Sequence, residues 1–180
     1  LFFGVGWSAA LQGPPGLGAP FGGLDYLTYM APGIVAMTVM TGAFMSGVSV
    51  IWDKRFGFLK ETLVAPASRA EVILGRVLGD SIVVNLQAMA MLALTFLIAP
   101  DLKASGVILA LLHGLLLSLG LASLGVAISV KLSSAEGFQM VVNLITMPLM
   151  FTSGVFYPIS TMPSYMRVLA HLNPATYAVD

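Results

Sequence analysis

The sequence predicts an all-α integral membrane protein, a bundle of spanning helices. Of its 180 residues, 58% are hydrophobic and only 9% charged, where an ordinary soluble domain carries about 25% charged. Four apolar runs, 29–52, 77–98, 106–130 and 138–157, reach the roughly 20 residues needed to span a bilayer. None alternates polar with apolar residues, as the strands of a membrane barrel do. Lipid offers no partner to open backbone groups, so such runs must be helices.

Taken in order, residues 1–11 read as the end of a further span truncated at its start. Leu1 opens the chain inside an apolar run, and the last residues follow a loop-like stretch. Both ends therefore read as cut, and residues 1–180 are expected to be a single membrane domain of a longer protein; a cleaved signal peptide is the alternative for the start. Residues 12–23, rich in Gly and Pro and uncharged, read as a loop. The first complete run leads into a charged stretch, and Ser68-Arg69-Ala70-Glu71 then opens the second. There a hydroxyl caps the free amides of the first turn while a Glu three residues on reaches back. Residues 99–103 form a tight turn before the third run. Ser133-Ser134-Ala135-Glu136 repeats the capping pattern ahead of the fourth. In the tail, Pro163 suits the first turn of a short helix, with Tyr165, Met166 and Leu169 on an apolar face and Arg167 and His171 on another. Asn173-Pro174 stops it. This is a short helix at the outer interface, or a re-entrant one, with a plain surface loop as the alternative.

Basic residues stay on the cytoplasmic side of spanning helices. Lys54, Arg55, Lys60, Arg69 and Arg76 follow the first complete run and Lys131 follows the third, while the opposite side holds only Lys103 and Arg167. The loop between the first two complete runs and the loop 131–137 are thus expected in the cytoplasm.

Several chemistries are excluded or left without support. There is no cysteine, hence no disulfide, thiolate ligand or thiol nucleophile. His113 and His171 show no metal-ligand spacing. No phosphate-binding G-x-x-x-x-G-K-[ST] loop is present, and no catalytic set converges, so the chain has no visible means of hydrolysing ATP. Net charge is zero, and nothing suggests nucleic acid. Within the runs, Asp80 lies near the cytoplasmic end, where it is expected to reach water. Asn85, Gln87 and Asn143 suit interhelical hydrogen bonds better than substrate contacts, Thr146 accompanies Asn143, and His113 suits a structural role. Gly114, Ser118 and Ala122 recur every four residues, as do Gly75 and Gly79, a spacing that lets helices approach closely. The eleven methionines, including Met40, Met89 and Met147, fit either filler or an adaptable lining.

The most informative stretch is 52–69. Asp53, Lys54, Arg55, Lys60, Glu61, Arg69, Glu71, Arg76 and Asp80 are nine of the chain's sixteen charged residues. Phe56, Leu59 and Leu63 share one helical face by their spacing of three and four, Lys60 and Glu61 point elsewhere, and Pro66 ends the segment. Two readings stay open on composition: a rod that docks into a cytoplasmic partner, or a helix lying on the bilayer surface.

The run from Asp53-Lys54-Arg55-Phe56-Gly57-Phe58-Leu59-Lys60-Glu61-Thr62-Leu63-Val64-Ala65-Pro66-Ala67-Ser68-Arg69 into Ile73-Leu74-Gly75-Arg76 resembles the first cytoplasmic loop of type-2 ABC transporter permeases, including those of the daunorubicin-resistance and nodulation-factor-exporter types. Ser153-Gly154-Val155-Phe156-Tyr157-Pro158 and Leu172-Asn173-Pro174-Ala175-Thr176-Tyr177-Ala178-Val179-Asp180 look like the same family's outer segment before its last span. The resemblance implies a type-2 ABC exporter bundle of about six spans in a prokaryotic inner membrane. This chain would supply four complete spans, a truncated one and the short outer helix. It further implies a permease dimer of like copies, and a separate ABC-type subunit that binds and hydrolyses ATP, with no cofactor in this chain. Phe56, Phe58, Leu59, Lys60, Glu61 and Leu63 would be the coupling contact with that subunit. Asp53 stands where Glu is common in the family, with the sign of charge kept. Drugs, lipids and glycoconjugates are all carried by the family, so substrate and path residues stay unassigned. The rival readings are a secondary transporter, which needs buried ion-coupling groups, and a membrane-embedded enzyme or a non-transport scaffold.

Overall fold

The computed structural model describes residues 26–58, 66, 68–98, 106–156 and 158–179. The expected truncated helix at 1–11, the loop 12–23, the turn 99–103 and residues 59–65 and 67 of the charged segment lie outside them. The described residues form α1 (Tyr26–Phe56), α2 (Arg69–Ile98), α3 (Val107–Lys131), α4 (Ala135–Thr152), one 3-10 turn (Ile159–Thr161), α5 (Ser164–Leu172) and α6 (Thr176–Val179), with no strand among them. Stretches of α1, α2 and α3, namely Tyr29–Phe56, Arg69–Leu94 and Val107–Lys131, are long and apolar enough to cross a membrane. At 1.5 Å per residue, the 31 residues of α1 span about 46 Å. The 18 residues of α4 span only about 27 Å, and Glu136, Gln139 and Asn143 dilute its apolar character.

α1 is the centre of the bundle: 61% of its spanning window is buried, against 28% in each of α2 and α3. Val39, Met40, Ala43, Phe44 and Ile51 of α1 form the core with Val84 and Ala88 of α2, Leu117, Leu121 and Val126 of α3, and Phe138 and Val142 of α4. α1 runs alongside α3 in the same direction and against α2. Gly47 meets Gly125, while Asp53 meets Arg76 and Ser46 meets Asp80. The α1–α3 approach depends on missing side chains. A Cβ at Gly47 would lie 2.4 Å from the Gly125 carbonyl oxygen and 2.4 Å from the Phe138 ring. The expected ridge of Gly114, Ser118 and Ala122 is buried, and Gly125 and Ser129 extend it. Gly75 and Gly79 behave differently: among the described residues nothing lies within 4 Å of a Cβ added at either, so that pair brings no helices together here.

Three boundaries differ from the sequence expectation. α1 continues past Trp52 to Phe56, and the chain breaks at Gly57, whose φ of 85° suits glycine alone among common residues. α4 ends at Thr152, five residues short of 157, in a turn through Ser153 and Gly154. Its cap is Ser134, whose hydroxyl accepts from the Gly137 amide at 3.1 Å. With the cap at Ser134 rather than the expected Ser133, Glu136 falls one position too early to complete a capping box. The other box forms as read: the Ser68 amide donates to the Glu71 carboxylate at 2.7 Å, and the Glu71 amide to the Ser68 hydroxyl at 3.3 Å.

Candidate functional site

Lys54, Arg55, Arg69, Arg76 and Lys131 collect at one end of the bundle, where α1 and α3 finish and α2 begins. Of the six residues expected to form the coupling contact, Phe56 and Phe58 are described; Leu59, Lys60, Glu61 and Leu63 lie outside the described residues. Phe56 closes α1 and is 68% exposed, and Phe58, just past the Gly57 break, is 57% exposed. Phe56 stacks on Trp52 with ring centroids 5.7 Å apart, and the Arg55 guanidinium sits 5.8 Å from the Trp52 ring centre. The last turn of α1 is therefore an aromatic and cationic platform from which the charged segment departs.

Behind the platform lies a polar clamp. Ser46, Ser49 and Asp53 share one face of α1 at spacings of three and four. Arg76 and Asp80, four apart, face them from α2. Arg76 pairs with Asp53 through Nη1 and donates through Nη2 to the Ser49 hydroxyl at 2.6 Å. Its Nε lies 3.8 Å from Asp80, which in turn accepts from the Ser46 hydroxyl. The Arg76 and Asp53 side chains are only 30% and 27% exposed, so water screens the pair less than it would a surface pair. One residue further on, Lys54 ties α1 to α3. Its ammonium donates to the carbonyl oxygens of Ser129 at 2.7 Å and Val130 at 2.9 Å, in the last turn of α3, where helical carbonyls run out of amide partners four residues on; Ser129 also accepts from the Leu132 amide at 3.3 Å. A cation there also meets the negative end of the helix dipole. Adjacent residues of α1 thus grip the start of α2 and the end of α3.

Asp80 belongs to this clamp rather than facing water alone. Ser46 and Ser49 were not foreseen. The signal lay in a run of polar residues at helical spacing (46, 49, 53) inside an otherwise apolar stretch. Arg76 and Asp53 were recognised as charges but not as partners across two helices.

The other interior polar residues do not converge. Asn85 makes the expected interhelical bond, donating to the Ser118 hydroxyl at 2.9 Å. Asn143 instead accepts from Gln139 in its own helix at 3.0 Å, because both lie on the exposed face of α4. His113 pairs with the Leu109 carbonyl one turn back at 2.9 Å, Gln87 is exposed, and Thr146 keeps a buried hydroxyl without a partner. Met40 is core, whereas Met89 and Met147 face outward. Among the described residues no group of three metal-ligating side chains occurs.

At the far end, Asn173 fastens the tail. Its amide donates to the Leu149 carbonyl at 2.7 Å and the Thr152 hydroxyl at 2.9 Å, and its oxygen accepts from the Ala175 amide at 2.9 Å. Tyr29 of α1 donates to the Gly154 carbonyl at 2.6 Å. α5 forms as expected, with Pro163 as its cap residue. Its inward face is Met166 and Ala170, however, and Tyr165 and Leu169, grouped with Met166 from the sequence, are exposed together with Val168 and Leu172.

Comparison with known proteins gives a consistent picture. The family model described as ABC-2 type transporter matches residues 1–180. A protein named as a transport permease, ycf38, of Cyanophora paradoxa is 27% identical over 158 residues, covering 87% of this chain and 54% of its own length. The inner membrane transport permease YadH of Escherichia coli K12 is 29% identical over 162 residues, covering 88% of this chain and 62% of its own. From the same organism, YbhR, named as a probable multidrug ABC transporter permease, is 26% identical over 158 residues, with 87% and 43% covered. The chain spans about half the length of these relatives. No solved structure matches.

Proposed function

Since this chain belongs to the ABC-2 type transporter family, a family of multi-pass membrane transport permeases, we propose that it is the membrane part of an ATP-driven exporter. A separate ATP-binding subunit would hydrolyse the nucleotide, and a second permease copy would complete the path. The names of YadH and YbhR support an inner-membrane location and an ABC partnership, and YbhR's supports a drug-like cargo; lipid or glycoconjugate cargo fits the family equally. α4 would serve as a fourth span, short for the roughly 30 Å hydrocarbon core, with further spans in the whole protein.

The observation that carries the reading is the clamp. The charged segment leaves α1 after Phe56 and rejoins at Ser68. Its two anchor points are joined by Arg76 to Asp53 and Ser49, and to α3 by Lys54. A push on the segment from the cytoplasm is then delivered to three helices together. Packed interiors shift between discrete arrangements rather than deforming smoothly, so such a joint moves as a unit. The coupling contact is assigned to Phe56, Phe58, Leu59, Lys60, Glu61 and Leu63, with Phe56 fixed on α1 and the rest beyond the Gly57 break.

The test has two parts. Tagged full-length protein should co-purify with an ATP-binding subunit. Leu59→Asp should leave the protein inserted while lowering the ATPase activity of the complex severalfold. Transport and ATPase activity both at wild-type level in that variant would remove the coupling assignment.

A further inference from the structure

A recess of about 310 Å³ opens at the basic end, between the last turn of α1 and the α3–α4 connection, with Lys54, Arg55 and Lys131 in its wall. No acidic residue lines it among those described. Asp53, next to Lys54, is held by Arg76, and Glu136 is not part of the wall. Lys54 uses two donors on the Ser129 and Val130 carbonyls, and an ammonium has three, so one N–H remains. Arg55 rests on the Trp52 ring and keeps its guanidinium edge available.

The height of the recess matters as much as its charge. α1 and α3 are spanning helices, and both terminate here, at Phe56 and Lys131. Hydrocarbon gives way to headgroups at this level. Trp52 is 43% exposed beside the recess, in the manner of the aromatic residues that mark membrane interfaces. On its membrane-ward side Val130, also in the wall, is 60% exposed. Three cations around a cavity with an exposed apolar flank match an amphiphile carrying a negative head better than an acidic protein segment, which would not need the apolar flank. We propose that this recess binds the phosphodiester headgroup of an anionic phospholipid of the cytoplasmic leaflet, with an acyl chain along Val130. The lipid would brace the joint where Lys54 fastens α1 to α3. From the functional reading it takes only which end faces the cytoplasm.

The experiment uses the purified full-length protein with any co-purifying subunit. It measures binding of labelled phosphatidylglycerol against phosphatidylcholine in mixed micelles, alongside native mass spectrometry of retained lipid. Phosphatidylglycerol should be retained preferentially. Arg55→Gln and Lys131→Gln should each weaken it about fivefold, and about 25-fold together, as expected for neutralising basic residues that face anionic lipid. Their thermal midpoints should stay at wild type, which shows that the fold is intact. Inorganic phosphate should fail to compete; if it displaces the lipid at equal concentration, the recess is a soluble-anion site and the lipid assignment falls. Equal binding of the two lipids, or binding untouched by both substitutions, overturns it as well. So does loss of an ATP-binding subunit from the double variant with lipid retention unchanged, which would make the recess a protein contact. Selective lipid binding by a protein that brings down no ATP-binding subunit leaves this inference standing and sinks the functional reading instead.

Discussion

The two ends of α1 are fastened by different chemistry. At the basic end the links are charged: Arg76 to Asp53, and Lys54 to the carbonyls that close α3. At the far end they are neutral: Tyr29 to the Gly154 carbonyl, and, on the tail beside it, Asn173 to Leu149 and Thr152. Charged hydrogen bonds at partly buried sites are stronger than neutral ones and lose more when one partner is removed. They also respond to local charge, which neutral bonds do not. The contrast would suit the proposed function, in which force enters at one end of this 31-residue helix and a fixed turn is held at the other.

The most damaging change removes the contrast altogether by separating the helices between the two ends. Gly47→Val puts side-chain atoms into the Gly125 carbonyl and the Phe138 ring. It should cost about 3 kcal/mol or more, read as a large fall in the detergent unfolding midpoint, whereas Gly75→Ala on the open face of α2 should change it little. Next comes the basic end alone. Arg76→Gln leaves Asp53 in a partly buried site without its cation and should cost about 1–3 kcal/mol, with the loss smaller at high salt. Asn173→Ala attacks only the far end. It should cost about 1–2 kcal/mol through the freed Leu149 carbonyl and Ala175 amide, and the loss should not vary with salt; a salt-dependent loss would erase the distinction. The mildest is Ser68→Ala, about 1 kcal/mol for a helix cap, visible as faster amide exchange over residues 69–72 with the far end unaffected.

Much of the fold was legible in the sequence because its causes are local. Lengths of apolar run gave α1, α2 and α3, the Ser68–Glu71 pattern gave a helix start, and the bias of basic residues gave one polar end. The boundaries at Phe56 and Thr152 were harder to read for opposite reasons: α1 runs on past its apolar stretch through Asp53, Lys54 and Arg55 until Gly57, whereas apolar composition continues past Thr152 while a turn through Gly154 stops α4. The cap at Ser134 rather than Ser133 was ambiguous because two adjacent serines offer the same chemistry. The clamp was hidden for a different reason. Asp53 and Arg76 are 23 residues apart, and only the antiparallel register of α1 and α2, in which the Val84 side chain packs close over Gly42, brings them together. Likewise, the exposure of Tyr165 and Leu169 depends on which face of α5 meets the rest of the bundle, and amphipathic spacing alone does not say which apolar residues turn inward.

The central claim is that the Arg76–Asp53 joint passes motion from the charged segment into the helices. These 180 residues hold no cysteine, so in a complex cleared of any cysteine elsewhere a single Leu94→Cys on the outer half of α2 is the reporter: its maleimide labelling rate, with and without ATP plus vanadate. The account predicts a nucleotide-dependent change in rate that falls by at least about half in Arg76→Asp and in Asp53→Arg. Combining the two should restore most of it. Full responses in both single variants, or a charge swap as inert as either alone, would contradict the account.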